Sequence, residues 1–152
     1  MWLECKIPPP IVAVLIGACM WWASRFSFIA KVPFAVRIAM AATIGLIGLG
    51  ISVMGAMAFR KARTTANPLR PETASTVVMS GIYRVTRNPM YVGLAVALIG
   101  WGAYLAAPLA LLGPIVFMAF ITRFQIIPEE RALLAKFGDE FAAYIKKVKR
   151  WL

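Results

Sequence analysis

Four apolar runs dominate the chain, and each is close to the ~20 residues that a helix needs to cross a bilayer. They extend from about Pro10 to Ser24, Pro33 to Phe59, Pro89 to Leu105 and Leu109 to Ile127. A chain of 152 residues that is 61% apolar, with a mean hydropathy of +0.77, exceeds the roughly 45–50% apolar content of a soluble domain. The expected fold is therefore all-α integral membrane, with about four transmembrane helices. The first run resembles a signal peptide in length, but Trp21-Trp22 stands where small cleavage-site residues belong, so it reads as a retained anchor. Ala106-Ala107-Pro108 leaves room only for a tight hairpin between the last two runs. Gly45, Gly48, Gly50 and Gly55 would let the second run approach another helix closely, either within the chain or on a second copy in a homo-oligomer.

Charge sets the expected orientation. The net charge is +11. The connection between the second and third runs carries Arg60, Lys61, Arg63, Arg70, Arg84 and Arg87 against Glu72. The positive-inside rule makes that connection, and with four spans both termini, cytoplasmic. Arg25, Lys31 and Arg37 then fall on the opposite face, a mild violation. A basic chain also raises nucleic-acid binding, but no aqueous fold remains to perform it. With no histidine and only Cys5 and Cys19, the composition argues against a metal site or a disulfide framework.

From Pro128 the pattern changes. Leu134, Phe137, Phe141, Tyr144, Val148 and Trp151 recur at helical spacing, with Lys136, Lys146, Lys147, Lys149 and Arg150 left for the other face. This predicts a C-terminal amphipathic cytoplasmic helix on the membrane surface, broken near Gly138-Asp139. One membrane domain covers 1–152, with an N-terminal helix pair over 1–62 and a core over 63–152.

Polar residues collect at one rim. Gly81 to Gly93 is a basic, turn-prone segment that enters the third run at Pro89, a residue suited to a first helical turn. Asn88 is placed to cap that helix, and Tyr83 and Tyr91 suit an interface. Pro128-Glu129-Glu130 is ordinary helix-start chemistry, yet the hairpin should bring these acids to the same face as Pro89. A carboxylate there could hold ribose hydroxyls or a cationic amine. Arg123 either snorkels to the surface or anchors a carboxylate or phosphate head group, with Gln125 as a weaker companion.

Gly81-Ile82-Tyr83 followed by Arg87-Asn88-Pro89-Met90-Tyr91-Val92-Gly93 resembles the G-x-Y, R-H-P-x-Y-x-G signature of the isoprenylcysteine carboxyl methyltransferase family. Glu129-Glu130, Phe137-Gly138-Asp139-Glu140-Phe141 and Tyr144 resemble that family's E-E, F-G-x-E-Y and Y pattern. The likeness covers about Asn67 to Leu152. Related phospholipid N-methyltransferases share N-P-M-Y and E-E, and Asn88 in place of histidine leans that way. The resemblance implies a multi-pass membrane enzyme that uses S-adenosylmethionine to methylate a lipid or isoprenoid-like substrate at the cytoplasmic face. It assigns the cofactor to Thr76, Val77, Val78, Tyr83, Arg87, Asn88, Pro89, Met90, Tyr91, Glu129 and Glu130. It assigns the substrate to Arg123 and Gln125, with Arg123 and Tyr91 catalytic. Carboxylate O-methylation is favoured because a carboxylate needs no base, and phospholipid amine N-methylation is the alternative. An NADPH-dependent membrane reductase is disfavoured by Leu94, where a glutamate is expected after Gly93. A non-enzymatic membrane scaffold or lipid-binding protein explains the basic tail but not the polar rim.

Overall fold

A computed structural model of the chain describes residues 4–62 and 75–152. Arg63, Asn67, Arg70 and Glu72, which the sequence places in the basic connection, lie outside the described residues. The elements are α1 (Pro9–Ser24), α2 (Phe34–Lys61), a 3₁₀ turn (Gly81–Arg84), α3 (Pro89–Leu105), a second 3₁₀ turn (Pro108–Leu111), α4 (Leu112–Ile121), a π turn (Thr122–Ile126) and α5 (Ile127–Lys147). No strand occurs among the described residues; Thr86 and Lys149 form an isolated bridge.

The helices run alternately between two ends. At one end Ala30 N–H donates to the Ala106 carbonyl at 2.8 Å, and Arg37 Nε donates to the Tyr104 carbonyl at 2.6 Å. At the other, Cys5 N–H reaches the Phe124 carbonyl at 3.0 Å and Ser52 meets the Met90 carbonyl. Ala106 adopts a left-handed conformation, φ 52°, and closes the expected hairpin. Two helical stretches, Phe34–Lys61 and Pro108–Lys147, are long and apolar enough to cross a membrane, whereas Pro9–Ser24 and Pro89–Leu105 are shorter. The expectation of about four spans is thus met in length by two.

Small residues decide how α2 meets α3. A Cβ at Gly48 would lie 2.6 Å from the Gly93 carbonyl oxygen and 2.9 Å from Ala97 N. Gly93 faces Ser52 and the Gly48 carbonyl, and Gly100 faces the backbone of Ala41 and Gly45. Gly55 lies against Pro89 and Met90. Gly45 and Gly50 differ from the expectation: nothing stands within 4 Å of a Cβ added at either position. The outer side of α2 exposes Leu46, Ile47, Leu49, Val53 and Met57. An apolar helix so little covered by protein suits a lipid surround.

The core contains Met20, Tyr91, Leu98, Leu105, Phe117, Ile121 and Ile126, with Trp101 and Trp151 packed against it. Trp101 Nε1 donates to the Gly17 carbonyl at 3.0 Å and ties α3 to α1. Phe141, Tyr144 and Val148 form a second cluster with Val77, Leu133, Phe137 and Ile145. This corrects the surface-helix reading. Much of the predicted apolar face packs against protein, and only part of it, notably Leu134, stays exposed. The break expected near Gly138 is present, with φ 51° and ψ −125°, a backbone geometry that glycine adopts readily.

Gly48→Ala should lower the thermal unfolding midpoint in detergent, by about 1–3 kcal/mol in stability, since the neighbours are main chain and cannot rotate away. Gly50→Ala should be neutral or stabilising by about 0.5–1 kcal/mol. Equal midpoints for the two variants would contradict this packing.

Candidate functional site

Pro128 organises the rim. Proline has no N–H and crowds the carbonyl four residues earlier, here Phe124. The helix widens into the π turn Thr122–Ile126 opposite it, and Cys5 supplies the Phe124 carbonyl with a donor at 3.0 Å. The next turn presents Glu129. Its Oε1 accepts the Tyr91 hydroxyl at 2.6 Å and the Gln125 amide at 2.6 Å. The two segments singled out in the sequence therefore meet through a direct hydrogen bond. Glu129 lies beyond the apolar run that ends at Ile127. Burial pushes its carboxyl up to about 7, against the pull of the Tyr91 and Gln125 hydrogen bonds.

Glu130 makes a second node. Arg150 binds it in a fork, Nε at 3.0 Å and Nη2 at 2.6 Å, and Arg87 Nη1 stands 3.0 Å from its Oε1. The Arg87 side chain is 9% exposed, and its Nε and Nη1 make no hydrogen bond. Nη1 is close enough to Glu130 for ion pairing but misaligned for donation. Two guanidiniums thus share one carboxylate, and the node keeps a net positive charge.

The C-terminal residues close over the start of α3. Arg87 N–H donates to the Lys149 carbonyl at 3.0 Å, and Asn88 Nδ2 donates to the Arg150 carbonyl at 2.8 Å. Thr86 Oγ1 stands 3.3 Å from that same carbonyl. Trp151 Nε1 donates to Thr122 Oγ1 at 3.0 Å. Asn88 occupies the N-cap position but makes no side-chain capping bond, so the capping role expected of it is not the one it performs. Tyr83 is buried rather than interfacial. Its ring meets Phe59 edge-on at 5.4 Å, and its carbonyl accepts the Tyr144 hydroxyl at 2.7 Å. Burial raises the Tyr83 phenol well above its usual value, keeping it neutral.

The remaining expected residues separate into those at this rim and those apart from it. Pro89 and Tyr91 are buried and Met90 is half-buried at the head of α3. Val77 joins the packing around Tyr144, Val78 is buried, and Thr76 is exposed. Arg123 and Gln125 diverge, although the sequence grouped them as lipid-facing. Gln125 is 3% exposed and turned to Glu129. Arg123 borders an open apolar groove with Ile115, Met118, Ala119, Thr122 and Ile127, and it pairs with Glu4 at 3.2 Å. Glu4 also holds Arg131 at 2.9 Å. Sequence reasoning missed Glu4, Cys5, Thr86, Arg150 and Trp151. One local signal existed for Cys5: Pro128 leaves the Phe124 carbonyl without its helical donor. Among the described residues, no cluster of three or more His, Cys, Asp or Glu side chains could hold a metal ion.

These features define a membrane-type helical protein with a carboxylate–tyrosine site where its hairpin opens. The profile of the family described as phospholipid methyltransferase matches residues 36–140, and the chain belongs to that family. This places it among membrane methyltransferases acting on lipid-like substrates. It is also 48% identical, over 63 residues, to a Haemophilus influenzae protein described as "Uncharacterized protein"; the match covers 41% of this chain and 100% of that one. No solved structure matches the chain.

Glu130→Ala should destabilise the protein on the order of 3 kcal/mol, because it leaves Arg87 buried without its counter-charge. Arg150→Ala should cost less, since that side chain is half-exposed and Arg87 keeps its partner. Chemical unfolding of the two variants in detergent checks the order.

Proposed function

We propose that the protein transfers a methyl group from S-adenosylmethionine to the head group of a membrane lipid. The observation that carries this reading is the Tyr91–Glu129 hydrogen bond, which joins two motifs of a methyltransferase family at one rim. The donor set suits the cofactor. Arg87 has two buried donor atoms without hydrogen-bond partners, which fit the carboxylate of the cofactor's amino-acid end. Glu129 suits ribose hydroxyls and the positive charge nearby, and Tyr83 and Met90 offer apolar walls. When bound, the cofactor supplies an electrophilic methyl group on a sulfonium. The residues provide alignment and exclusion of water, and methyl transfer needs both.

The acceptor divides two readings. The family description names a phospholipid, and an amine is one nucleophile that a phospholipid head group can offer. An amine must lose a proton before attack. A carboxylate acceptor, as in isoprenylcysteine methylation, needs no base, and Arg123 already holds a carboxylate, that of Glu4. The apolar groove beside Arg123 is the lateral lipid entrance in either case. The basic rim faces the cytoplasm by the positive-inside rule, with four helices crossing the bilayer.

Incubation of the purified protein with methyl-labelled S-adenosylmethionine and native lipid extract, followed by mass analysis, should give a labelled lipid. Label on nitrogen supports the amine reading, label in a methyl ester supports the carboxylate reading, and no labelled lipid overturns the methyltransferase reading. Glu129→Ala and Tyr83→Ala should weaken S-adenosylmethionine binding about tenfold or more, as expected on losing a charge-assisted contact or a packed wall. Affinity should rise as pH increases through about 7, where Glu129 loses its proton, and Glu129→Gln should flatten that dependence.

A further inference from the structure

Both hydrogen bonds that reach the Glu129 carboxylate fall on one oxygen. Tyr91 donates to Oε1 from α3, and Gln125 donates to it from the π turn; each bond is 2.6 Å long. No hydrogen bond from a described residue falls on Oε2. A carboxylate only accepts, so the nitrogen end of the Gln125 amide must face it. Donors from two separate elements fix both the position of Oε1 and the plane of the carboxylate. The direction of Oε2 follows from that plane. Gln125 is itself 3% exposed, and a buried amide costs free energy unless its hydrogen bonds are made. It is therefore packed away from bilayer lipid.

The π turn is the local cause of this arrangement. One extra residue in a turn rotates the following helix by about 100° relative to an unbroken α-helix. Gln125 lies inside that turn, four residues before Glu129 and so on its face. We infer that Gln125 is a positioning residue: together with Tyr91 it immobilises Oε1 of Glu129 and aims Oε2 at the hydroxyls of a bound nucleoside. That a nucleoside binds here, and that it is S-adenosylmethionine, rests on the proposed function; the positioning of Glu129 rests on the two hydrogen bonds.

Each donor stabilises the ionised form of Glu129, so removing one raises the midpoint at which the carboxyl titrates. The other charged or titratable groups facing this pair are Glu130 on the same helix, Tyr83 from the 3₁₀ turn and Cys5 from the N-terminal segment. Tyr91→Phe leaves all three in place, whereas substitution of Gln125 also removes the 3.7 Å contact of its amide with Cys5 Sγ, so the two variants are compared.

The test uses the full chain in lipid nanodiscs. The Glu129 carboxyl band is followed by infrared titration and assigned by its disappearance in Glu129→Gln. Gln125→Met, which keeps the length but loses the donor, and Tyr91→Phe should each raise the midpoint by about one pH unit, the size expected for a hydrogen bond to a charged group. Gln125→Asn, which keeps the amide but withdraws it by one methylene, should show the same direction and serves where Gln125→Met does not fold. S-adenosylmethionine affinity at pH 7 should fall about tenfold in these variants, with part of the loss recovered at pH 9 as Glu129 ionises. A purely structural role for Gln125 would lower the unfolding midpoint and leave the titration unmoved. Folded Gln125 variants with a wild-type titration midpoint overturn the inference. If the wild type binds no S-adenosylmethionine, the functional reading fails, while the infrared shift still decides whether Gln125 positions Glu129.

Discussion

A missing backbone donor at Pro128 governs much of what happens at this rim. An α-helix that continued unbroken would leave the Phe124 carbonyl facing a ring with no hydrogen to offer. In an apolar surround that orphan is costly. The helix widens into a π turn, and the N-terminal segment donates Cys5 N–H to the freed carbonyl. Local backbone chemistry thus secures the chain's N-terminal segment beside the same turn that carries Gln125 and leads to Glu129. Glu4 follows Cys5 to the rim and settles between Arg123 and Arg131.

Charge is concentrated where the helices end, and it is handled by sharing. Glu130 serves Arg87 and Arg150, and Glu4 serves Arg123 and Arg131. The contrast between Arg87 and Arg123 is instructive. Arg123 is 42% exposed, so water can complete its hydration. Arg87 is enclosed, its Nε and Nη1 make no hydrogen bond, and its charge is met by Glu130 at 3.0 Å.

Between the two ends, packing relies on small residues rather than on large interdigitating ones. Gly48, Gly93 and Gly100 bring the α2 and α3 backbones together, as is usual for helices that gain nothing from apolar burial in lipid. That contact holds Phe59, near the end of α2, against the ring of Tyr83. The helix pair and the polar segment between them are therefore coupled mechanically as well as in sequence.

Much of this was legible from the chain alone. Hydropathy bounded the apolar helices closely, because burial in protein or lipid both demand long uninterrupted apolar runs. The short Ala106-Ala107-Pro108 link required a hairpin, and a hairpin requires Tyr91 and Glu129 to share an end. Gly138 announced its break, since few other residues tolerate that backbone. What the sequence left open concerns direction and distant partners. Periodicity made the tail amphipathic and pointed to the membrane surface, but much of its apolar face packs against protein, Val77 included. Adjacent polar residues such as Arg123 and Gln125 read alike until the π turn points one outward and the other toward Glu129. The pairing of Arg150 with Glu130, and of Glu4 with Arg123, depends on how chain ends far apart in sequence converge, and only the tertiary structure decides that, because no local propensity encodes a contact between segments that meet only after the helices have packed.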